Sequence, residues 1–386
     1  MHRKLNMGMI GGGRDSFIGS VHRMAAALDG HCNLACGVFS ATPERSRAEG
    51  AALHLPPERV YVTFEEMIRA ENQLPPGERM DFVSIVVPNH LHFNIARLAL
   101  ETGFAVVCDK PMTYSLEEAH QLEAIVAKTG LLFALTHNYT GYPLVKEARD
   151  MVRSGKLGAI RKLVVEYPQG NMATRLESTG NKRAAWRTDP KRSGAANCMA
   201  DIGTHAENLA EYVTGLKITE LCADLTSFVE GRLLDDDGSV LLRLEKGARG
   251  ILHASKISAG EDNGLRIRVY GEKAGLEWEQ QQPNILMYKG MSRPTEIHRA
   301  GTGYVSDLAR FNARLPAGHP EGFIEAFANI YRNFILSLQA RLEGQDPEPE
   351  HTDFPTVRDG VRGMAFIATV VESSQSDRKW TKMKEY

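Results

Sequence analysis

A lysine stands between an apolar strand pattern and a proline in the stretch VVCDKPMT, which runs from Val106 to Thr113. A strand end without a chemical role would carry Gly, Asn or Ser at that place. Proline removes a backbone donor and restricts Lys110 to extended geometry, and the Lys110–Pro111 bond can be cis because proline lowers the cost of that isomer. A cation held there can stabilise the negative charge that develops on an oxygen during hydride transfer. The alternative is a surface lysine in an arbitrary turn.

A second candidate pair lies in the stretch MADIGTHAENLAEYVTG, where Asp201 and His205 stand four positions apart. At the start of a helix, this spacing puts both side chains on one face. A histidine that titrates near neutrality can take or return a hydroxyl proton as hydride leaves carbon, and a nearby carboxylate can orient it or bind a substrate hydroxyl. His205 alone would more simply be a satisfied core or capping histidine. We expect no metal site, because no third ligand stands close in sequence.

A glycine-rich turn separates the first predicted strand from the first predicted helix in the stretch MIGGGRDSFIGSVHRMA. Glycines there let the backbone approach a pyrophosphate, whose charge the helix N-terminus stabilises. Gly11 and Gly13 fit the first two places of the usual G-x-G-x-x-G pattern, but Gly19 arrives after five residues rather than two. Arg14 or Ser16 could help to bind phosphate in this longer loop. We predict phosphate binding here rather than an ordinary glycine turn.

The end of the second predicted strand, VFSATPER, lacks the carboxylate that holds the ribose hydroxyls in many NAD-binding proteins. Ser40 occupies that place, and the first acid, Glu44, follows Pro43. Without a carboxylate there is no repulsion against a ribose phosphate, and Arg45 or Arg47 could pair with one, which favours NADP. A serine can also hydrogen-bond a ribose hydroxyl, so NAD and NADP both remain open.

The elements that must position these residues follow one pattern through the first third of the chain. Short apolar runs alternate with segments of helical spacing, from Leu5–Ile10 through a short run at Tyr61 and Val62 to Asp81–Val87 and Leu131–Leu135. This alternation predicts an α/β Rossmann-type fold, a doubly wound parallel sheet. Such sheets bind ligands beyond the carboxyl ends of their strands, where Lys110 would lie.

The pattern changes after about residue 139. Long alternating runs, separated by turn signals such as Asp235–Gly238, predict an α+β domain with a large open, mostly antiparallel sheet. Phe323–Leu342 and Val357–Ser374 read as its closing helices. With 386 residues and about 100–200 residues per domain, the chain has room for two domains. We place them at residues 1–137 and 138–386.

Composition narrows the class of protein. Lys and Arg number 46 against 48 Asp and Glu, so no basic face indicates nucleic-acid binding. Five scattered cysteines without a CxxC pair argue against a disulfide framework or zinc site and fit a reducing cytoplasm. The start of the chain lacks the apolar stretch of a signal peptide, and no run approaches the ~20 apolar residues of a membrane helix. We therefore expect a cytoplasmic protein without nucleic-acid or membrane partners.

Together these residues resemble the Gfo/Idh/MocA family, named for glucose–fructose oxidoreductase, inositol dehydrogenase and rhizopine catabolism, over nearly the whole chain. That family pairs a Rossmann domain with an α+β domain whose open sheet commonly forms the oligomer interface. Its Glu-Lys-Pro signature after the fifth predicted strand is Asp109-Lys110-Pro111 here, and its Asp-x-Gly-x-His signature runs from Asp201 to His205. The resemblance implies Lys110, Asp201 and His205 as the catalytic set, with His205 as the acid/base.

The resemblance also implies further cofactor contacts and a substrate class. The matching positions cover the loop beside the nicotinamide, the signature acid, the start of the second domain and a Trp-Arg pair: Pro88, Asn89, His92, Asp109, Asn138, Trp186 and Arg187. The stretches THNYTGYP, LLDDDG and RVYGEKAGLEW are similar to a subgroup that contains levoglucosan dehydrogenase. That likeness implies a pyranose substrate and is compatible with NAD.

The expected activity is an NAD- or NADP-dependent hydride transfer at a secondary hydroxyl or ketone of a sugar, anhydrosugar, glycoside or cyclitol. The expected assembly is a homodimer or homotetramer formed through the C-terminal sheet. One alternative keeps the cofactor bound and cleaves glycosides through transient oxidation. Another is a non-catalytic nucleotide or sugar sensor, against which the retained Lys110, Asp201 and His205 argue.

Overall fold

The computed structural model describes residues 3–14, 16–179 and 188–384. Its strands are β1 (Leu5–Gly11), β2 (Cys32–Val38), β3 (Phe82–Val86), β4 (Ala105–Cys108), β5 (Phe133–Leu135), β6 (Ile160–Pro168), β7 (Ile218–Thr226), β8 (Asp237–Leu244), β9 (Arg249–Ser255), β10 (Arg266–Gly271), β11 (Ala274–Glu279), β12 (Ile285–Gly290), β13 (Glu296–Arg299) and β14 (Thr381–Lys382). Its α-helices are α1 (Phe17–Ala27), α2 (Pro43–Ala52), α3 (Phe64–Gln73), α4 (His92–Thr102), α5 (Leu116–Thr129), α6 (Pro143–Arg153), α7 (Pro190–Ser193), α8 (Thr204–Thr214), α9 (Asp307–Phe311), α10 (Phe323–Leu342) and α11 (Val357–Ser374).

The contacts within the chain divide it into two units. The first comprises Met1–Asn138 and Phe323–Val361, and the second comprises Tyr139–Gly322 and Arg362–Tyr386. The boundary predicted between residues 137 and 138 remains a prediction. The contacts differ from that division for α10, which belongs by its packing to the first unit.

The first unit contains a five-stranded sheet in the order β2-β1-β3-β4-β5, and every neighbouring pair is parallel. All residues of β3 and β4 are buried, as parallel strands covered by helices on both faces should be. The predicted doubly wound parallel sheet is thus confirmed. The chain leaves β1 toward β2 on one side and returns to β3 on the other, so a ligand crevice opens at the carboxyl ends of β1 and β3.

The short strand predicted at Tyr61 and Val62 is wrong. The structure has only an isolated parallel bridge between Gly37 and Val60 there. Thr63 follows at once as the N-cap of α3, and its hydroxyl accepts a hydrogen bond from the backbone of Glu66. The chain therefore turns into a helix before a ladder of hydrogen bonds can form.

Helix α10 shares a hydrophobic core with the first sheet. Its side chains Phe327, Tyr331 and Phe334 pack in one buried cluster with Met7 of β1 and Val21 of α1. An apolar helix face predicts that a helix covers a sheet, but its periodicity does not say which sheet. This is why the sequence pattern alone grouped α10 with the second domain.

The second unit contains a nine-stranded sheet in the order β13-β12-β11-β10-β6-β9-β8-β7-β14. Its pairs are antiparallel apart from β6 with β9, which confirms the predicted mostly antiparallel sheet. Buried and more exposed side chains alternate along β8, where Val240 and Leu242 are buried and Leu241 is exposed. One face is therefore covered by packing within the unit, and the other face is open.

Candidate functional site

The turn after β1 is shaped by glycines. Gly11 and Gly12 have φ angles of 84° and 68°, in the left-handed region that favours glycine. A Cβ at Gly13 would lie 2.6 Å from the carbonyl oxygen of Phe39, and one at Gly19 would collide with the backbone of Gly12. These glycines therefore let the turn pack closely against the end of β2 and the start of α1, and the N-terminus of that helix would be the place for a pyrophosphate.

Polar contacts hold this turn in place. Ser16 caps α1 by accepting a hydrogen bond from the backbone of Gly19 at 3.2 Å, and its own N–H donates to the carbonyl of Gly13. Arg23 donates through Nη1 to the carbonyl oxygen of Gly12 at 2.5 Å. Arg14 is exposed. The Ser16 hydroxyl thus has a structural partner, whereas Arg14 is placed to meet solvent or a ligand, and Arg23 supports the turn without any signal in the sequence.

The segment after β2 carries a serine and two exposed arginines. The Ser40 hydroxyl accepts a hydrogen bond from the backbone of Thr42 at 3.2 Å. Thr42 precedes α2 and makes no side-chain cap hydrogen bond, so the first N–H groups of that helix are not capped by it. Arg45 and Arg47 are exposed on the first turns of α2. These groups suit the ribose end of either NAD or NADP.

The turn that carries Lys110 is organised by Asp109. The carboxylate oxygen Oδ1 of Asp109 accepts hydrogen bonds from the backbone of Lys110 and from the hydroxyl of Thr136, each at 2.9 Å. The Lys110–Pro111 peptide is cis. Asp109, expected near the cofactor, therefore has partners within the first unit that fix the backbone of Lys110.

His92 ties this turn to the turn after β3. Its Nδ1 lies 2.9 Å from the carbonyl oxygen of Pro111, and its Nε2 lies 2.8 Å from that of Val87. The ring is buried, and burial lowers its pKa. The cofactor contact that the resemblance implies at His92 stays a prediction, and both ring nitrogens contact backbone carbonyls. Its neighbours Pro88 and Asn89 lie at the carboxyl end of β3, half-buried and buried respectively.

His137 is a buried neighbour of Lys110 that the sequence analysis missed. Burial, with the positive charge of Lys110 as the second cause, lowers the pKa of His137 to about 3. The electrostatic effect of Lys110 therefore reaches the carboxyl end of β5. Asn138 follows it, buried at the start of a 3₁₀ turn. The polar residues Thr136, His137 and Asn138, which follow an apolar strand pattern, were the feature of the sequence that could have indicated His137.

In the second unit, Asp201 lies in a single π-helical turn, Met199–Gly203, that leads into α8. The helix predicted around Asp201 and His205 therefore begins as a π turn, and the α-helix follows from Thr204. Such turns insert an extra residue and are frequent at functional sites. His205 is only 6% exposed, and its ring meets that of Tyr139 edge-on at 4.8 Å.

A buried lysine binds Asp201. Lys256 Nζ lies 2.8 Å from Asp201 Oδ2 and donates to Asn197 Oδ1 at 2.9 Å. The Lys256 side chain has no exposed surface. In the sequence it appeared as a polar residue at the end of a strand, ILHASKIS, which indicates nothing about its partner.

The turn predicted at Asp235–Gly238 is wrong, because β8 begins at Asp237. Asp235 is buried, and its carboxylate accepts hydrogen bonds from the backbone of Asn197 at 2.6 Å and of Met199 at 2.8 Å. Burial raises the pKa of Asp235. Three consecutive acids normally indicate a solvated turn, but here the first one caps the segment that carries Asp201.

A group of polar side chains lies beside His205 in the same unit. Asn263 accepts hydrogen bonds from the Tyr167 hydroxyl at 2.7 Å and from Gln169 at 2.6 Å, and it donates to the Tyr139 hydroxyl at 3.2 Å. The rings of both tyrosines contact the ring of His205. The group combines aromatic faces with amide and hydroxyl hydrogen-bonding groups.

Two implied cofactor residues, Trp186 and Arg187, lie outside the described residues. The family's Gly-Gly before the Asp201 signature is Gly194-Ala195-Ala196 here, and Gly194 has a φ of 93°.

Within residues 3–14, 16–179 and 188–384, no group of three or more His, Cys, Asp or Glu could hold a metal ion. In the same part of the chain, no helix has the length and apolar character needed to cross a membrane.

Comparison with known families matches both units. Residues 5–137 match the model described as an oxidoreductase family with an NAD-binding Rossmann fold, and residues 145–277 match the GFO/IDH/MocA C-terminal domain. An uncharacterized oxidoreductase, YfiI of Bacillus subtilis, is 32% identical over 385 residues, covering 99% of this chain and 98% of the relative. Levoglucosan dehydrogenase of Pseudarthrobacter phenanthrenivorans is 24% identical over 312 residues, covering 74% of this chain and 76% of that one.

Among solved structures, the chain is similar to an inositol dehydrogenase homolog from Azotobacter vinelandii. Its complex with NAD+ has a TM-score of 0.93 at 34% identity, covering 98% of this chain and 97% of that one. Its complex with NADH and myo-inositol has a TM-score of 0.90 at 33% identity, covering 98% of each chain. The resemblance inferred from the sequence is therefore confirmed.

Proposed function

Because the chain belongs to the Gfo/Idh/MocA family of oxidoreductases with an NAD-binding Rossmann fold, we propose that it oxidises a secondary hydroxyl of a sugar or cyclitol. The proposal includes anhydrosugars and glycosides, and it names NAD or NADP as the hydride acceptor. The observation that carries it is the ion pair between Asp201 and the buried Lys256. Asp201 lies on the segment that leads into the helix of His205. A sensor needs no carboxylate held in this way beside a histidine.

The first unit supplies a cradle for the cofactor. The glycine turn from Gly11 to Gly13 and the start of α1 would hold the pyrophosphate, with Arg14 at the edge of the turn. Ser40 and Arg45 would hold the adenosine ribose. When bound, the nicotinamide ring accepts or supplies the hydride.

Lys110 would act on the reacting oxygen. The turn that carries it is fixed by the hydrogen bonds of Asp109 and by the contact of His92 with the Pro111 carbonyl. A cation fixed before the reaction stabilises a developing alkoxide without reorganisation at the moment of reaction. Lys110 thereby lowers the barrier for oxidation of a hydroxyl and polarises a carbonyl in the reverse direction.

His205 would move the proton. Its neutral imidazole accepts the hydroxyl proton during oxidation and returns it during reduction. Contact with the Tyr139 ring holds the imidazole in one orientation. Asp201, one turn earlier on the same segment, would bind a substrate hydroxyl or orient the imidazole, and Lys256 keeps its carboxylate ionised.

The substrate class rests on relatives and on the polar group beside His205. A similar structure was solved with myo-inositol, and one relative is a levoglucosan dehydrogenase. Both ligands are rings that carry several hydroxyls. The amides and hydroxyls of Tyr139, Tyr167, Gln169 and Asn263 are groups of the kind that recognise such ligands.

Nicotinamide reduction, followed by absorbance, tests the proposal. The wild-type protein is assayed with NAD and NADP in parallel against inositols, hexoses, glycosides and levoglucosan. We expect reduction with at least one polyol ring. Cofactor binding in a thermal-shift assay without reduction of any panel member would contradict the proposal, and glycoside cleavage without net reduction would favour the retained-cofactor reaction.

A further inference from the structure

Lys256 is a fully buried cation whose ammonium group contacts oxygen atoms of Asp201 and Asn197. Its Nζ contacts Asp201 Oδ2 at 2.8 Å and Asn197 Oδ1 at 2.9 Å, and its side chain has no exposed surface. Burying an ammonium group is costly unless a carboxylate and hydrogen-bond acceptors surround it. A lysine that serves only packing would be replaced at lower cost by an apolar residue, so this position calls for a function of the charge.

The backbone of Lys256 is fixed on both sides. Its N–H donates to the carbonyl oxygen of Asp236 at 2.8 Å, and its carbonyl accepts a hydrogen bond from Met172 at 3.0 Å. These bonds hold the residue directly after β9. With its backbone and its ammonium group both held, Lys256 is a fixed point at the carboxyl end of β9, an interior strand of the second sheet.

The segment that carries Asp201 is fixed against the same point. Asp235 accepts the backbone N–H groups of Asn197 and Met199, and the N–H of Asp201 donates to the carbonyl of Asn197 at 2.9 Å. Asn197 in turn accepts from Lys256 through its side chain. The Asp201 carboxylate is therefore located relative to Lys256 through its own ion pair and through the backbone that precedes it.

We propose that Lys256 is the positioning residue of Asp201, and that its charge keeps the neighbouring His205 able to accept a proton near neutral pH. The ammonium group holds the carboxylate ionised and in one orientation. It also offsets the negative charge that would otherwise stabilise the imidazolium form of His205. This inference rests on the proposed hydride transfer, in which His205 must be neutral to act as a base.

The other titratable groups around this pair do not replace the charge of Lys256. The charge of Lys256 acts on the carboxylate of Asp235 and on the thiol of Cys198, and the carboxylates of Asp201, Asp235 and Asp237 also act on that thiol. Burial raises the pKa of the Cys198 thiol, and it also raises the pKa values of the Tyr139 and Tyr167 hydroxyls near Asp201, so these three groups stay neutral. Loss of Lys256 therefore makes the surroundings of His205 more negative.

Lys256→Met tests the proposal, because methionine keeps the length of the side chain and removes the charge. We expect kcat to fall about 10- to 100-fold, as for other displacements of a catalytic group, with the KM for the cofactor unchanged. The pH at which kcat/KM reaches half of its plateau moves upward, because the uncompensated Asp201 raises the pKa of His205. The matched control is Lys217→Met, which removes a lysine of the same unit that pairs with Glu211 at 2.8 Å but is partly exposed. That variant should keep wild-type kinetics.

A second readout does not depend on turnover. The imidazole of His205 is titrated by NMR in protein labelled with ¹³C-histidine, and His205→Gln assigns the signal. Lys256→Met should raise the His205 pKa relative to wild type, and Lys256→Arg, which keeps the charge, should restore it. Lys256→Gln keeps a hydrogen-bond donor without the charge, so it tests the charge even where the methionine variant fails to fold.

Wild-type kcat and an unchanged His205 titration in Lys256→Gln would overturn the proposal. A loss of kcat that matches a loss of folded protein, with the titration unchanged, would also overturn it and leave Lys256 a structural residue. Failure of the proposed function can be distinguished from failure of this inference. In the first case the wild type itself would reduce no nicotinamide, while the NMR titration of His205 would still report on the effect of Lys256.

Discussion

His22 Nε2 lies 4.0 Å from Asp109 Oδ1, beyond hydrogen-bond distance, and has no hydrogen-bond partner among the residues that the structure describes. The other ring nitrogen lies 2.7 Å from the hydroxyl of Tyr331, which also contacts the Ser84 hydroxyl at 2.7 Å. A buried chain of hydrogen-bonding groups thus joins Tyr331 of α10, Ser84 of β3 and His22 of α1. It ends 4.0 Å from the carboxylate of Asp109, the acid that fixes the backbone of Lys110.

Asp109→Glu should close this gap. The longer side chain brings one carboxylate oxygen within reach of His22 Nε2, and the gain requires that the contacts with the backbone of Lys110 and the Thr136 hydroxyl are kept. We expect the free energy of unfolding to rise by about 1 kcal/mol, measured by urea denaturation. In the double variant with His22→Phe the gain should disappear. A gain that persists without His22, or a loss in the single variant, would show that the gap is not the reason.

Acid should destabilise the first unit through its buried histidines. Burial lowers the pKa of His22 to about 4 and that of His137 to about 3, against about 6.5 in the unfolded chain. The contribution of these two histidines to the free energy of unfolding is fully present above pH 6.5. It falls as the pH drops toward 4, because the unfolded chain binds protons that the folded chain does not. Each histidine contributes about 1.4 kcal/mol per pH unit in this window.

Urea denaturation at a series of pH values checks this slope. His137→Gln should remove the contribution of His137 to the pH dependence of the free energy of unfolding and leave the contribution of His22. A slope that is the same in the variant and the wild type would assign the acid sensitivity to other groups.

Lys110→Ala should retain cofactor binding and lose most turnover. Loss of one preorganised electrostatic group at the reacting oxygen costs about 10²- to 10³-fold in kcat. Turnover is measured by nicotinamide reduction and binding by fluorescence of the reduced cofactor. Lys128→Ala, at an exposed position in the last turn of α5, is the control. Near-normal turnover in the Lys110 variant would exclude the assigned role.

The choice between NAD and NADP should respond to the end of β2. Ser40→Asp places a carboxylate where it repels a ribose phosphate and binds ribose hydroxyls. We expect the ratio of kcat/KM with NAD to that with NADP to rise about tenfold, and Arg45→Ala should move the ratio in the same direction. Arg69→Ala, exposed on α3, is the control. An unchanged ratio in both variants would place the ribose elsewhere.

The open face of the second sheet should mediate self-association. Neighbouring strands align Cys222, Leu241, Ile251 and Val164 across this face, and Leu241 is 46% exposed. An apolar row of this kind indicates a protein interface. We predict that the chain forms a homodimer or homotetramer and that Leu241→Glu reduces its mass in light scattering. Leu342→Glu, an exposed position in the first unit, should leave the assembly intact, and a monomeric wild type would rule out the interface.

Local sequence patterns were sufficient to propose the parts of the site whose chemistry depends on near neighbours in the chain. The glycines at Gly11 and Gly13, the lysine before Pro111 and the spacing of Asp201 and His205 could be recognised because turns and helix faces depend on a few consecutive residues. The parallel sheet followed from the alternation of strands and helices. The π turn before α8 was not visible in the sequence, because one such turn changes the side-chain spacing over only a few residues.

Only the tertiary structure decided the partners of these residues. It brought Lys256 to Asp201, His92 to the carbonyl of Pro111, and α10 to the first sheet. These contacts join residues far apart in the chain, and they depend on which surfaces pack together. A polar residue that ends a strand has the same local pattern whether it faces water or a buried carboxylate. Its role is therefore determined by packing, which the period of the side chains does not encode.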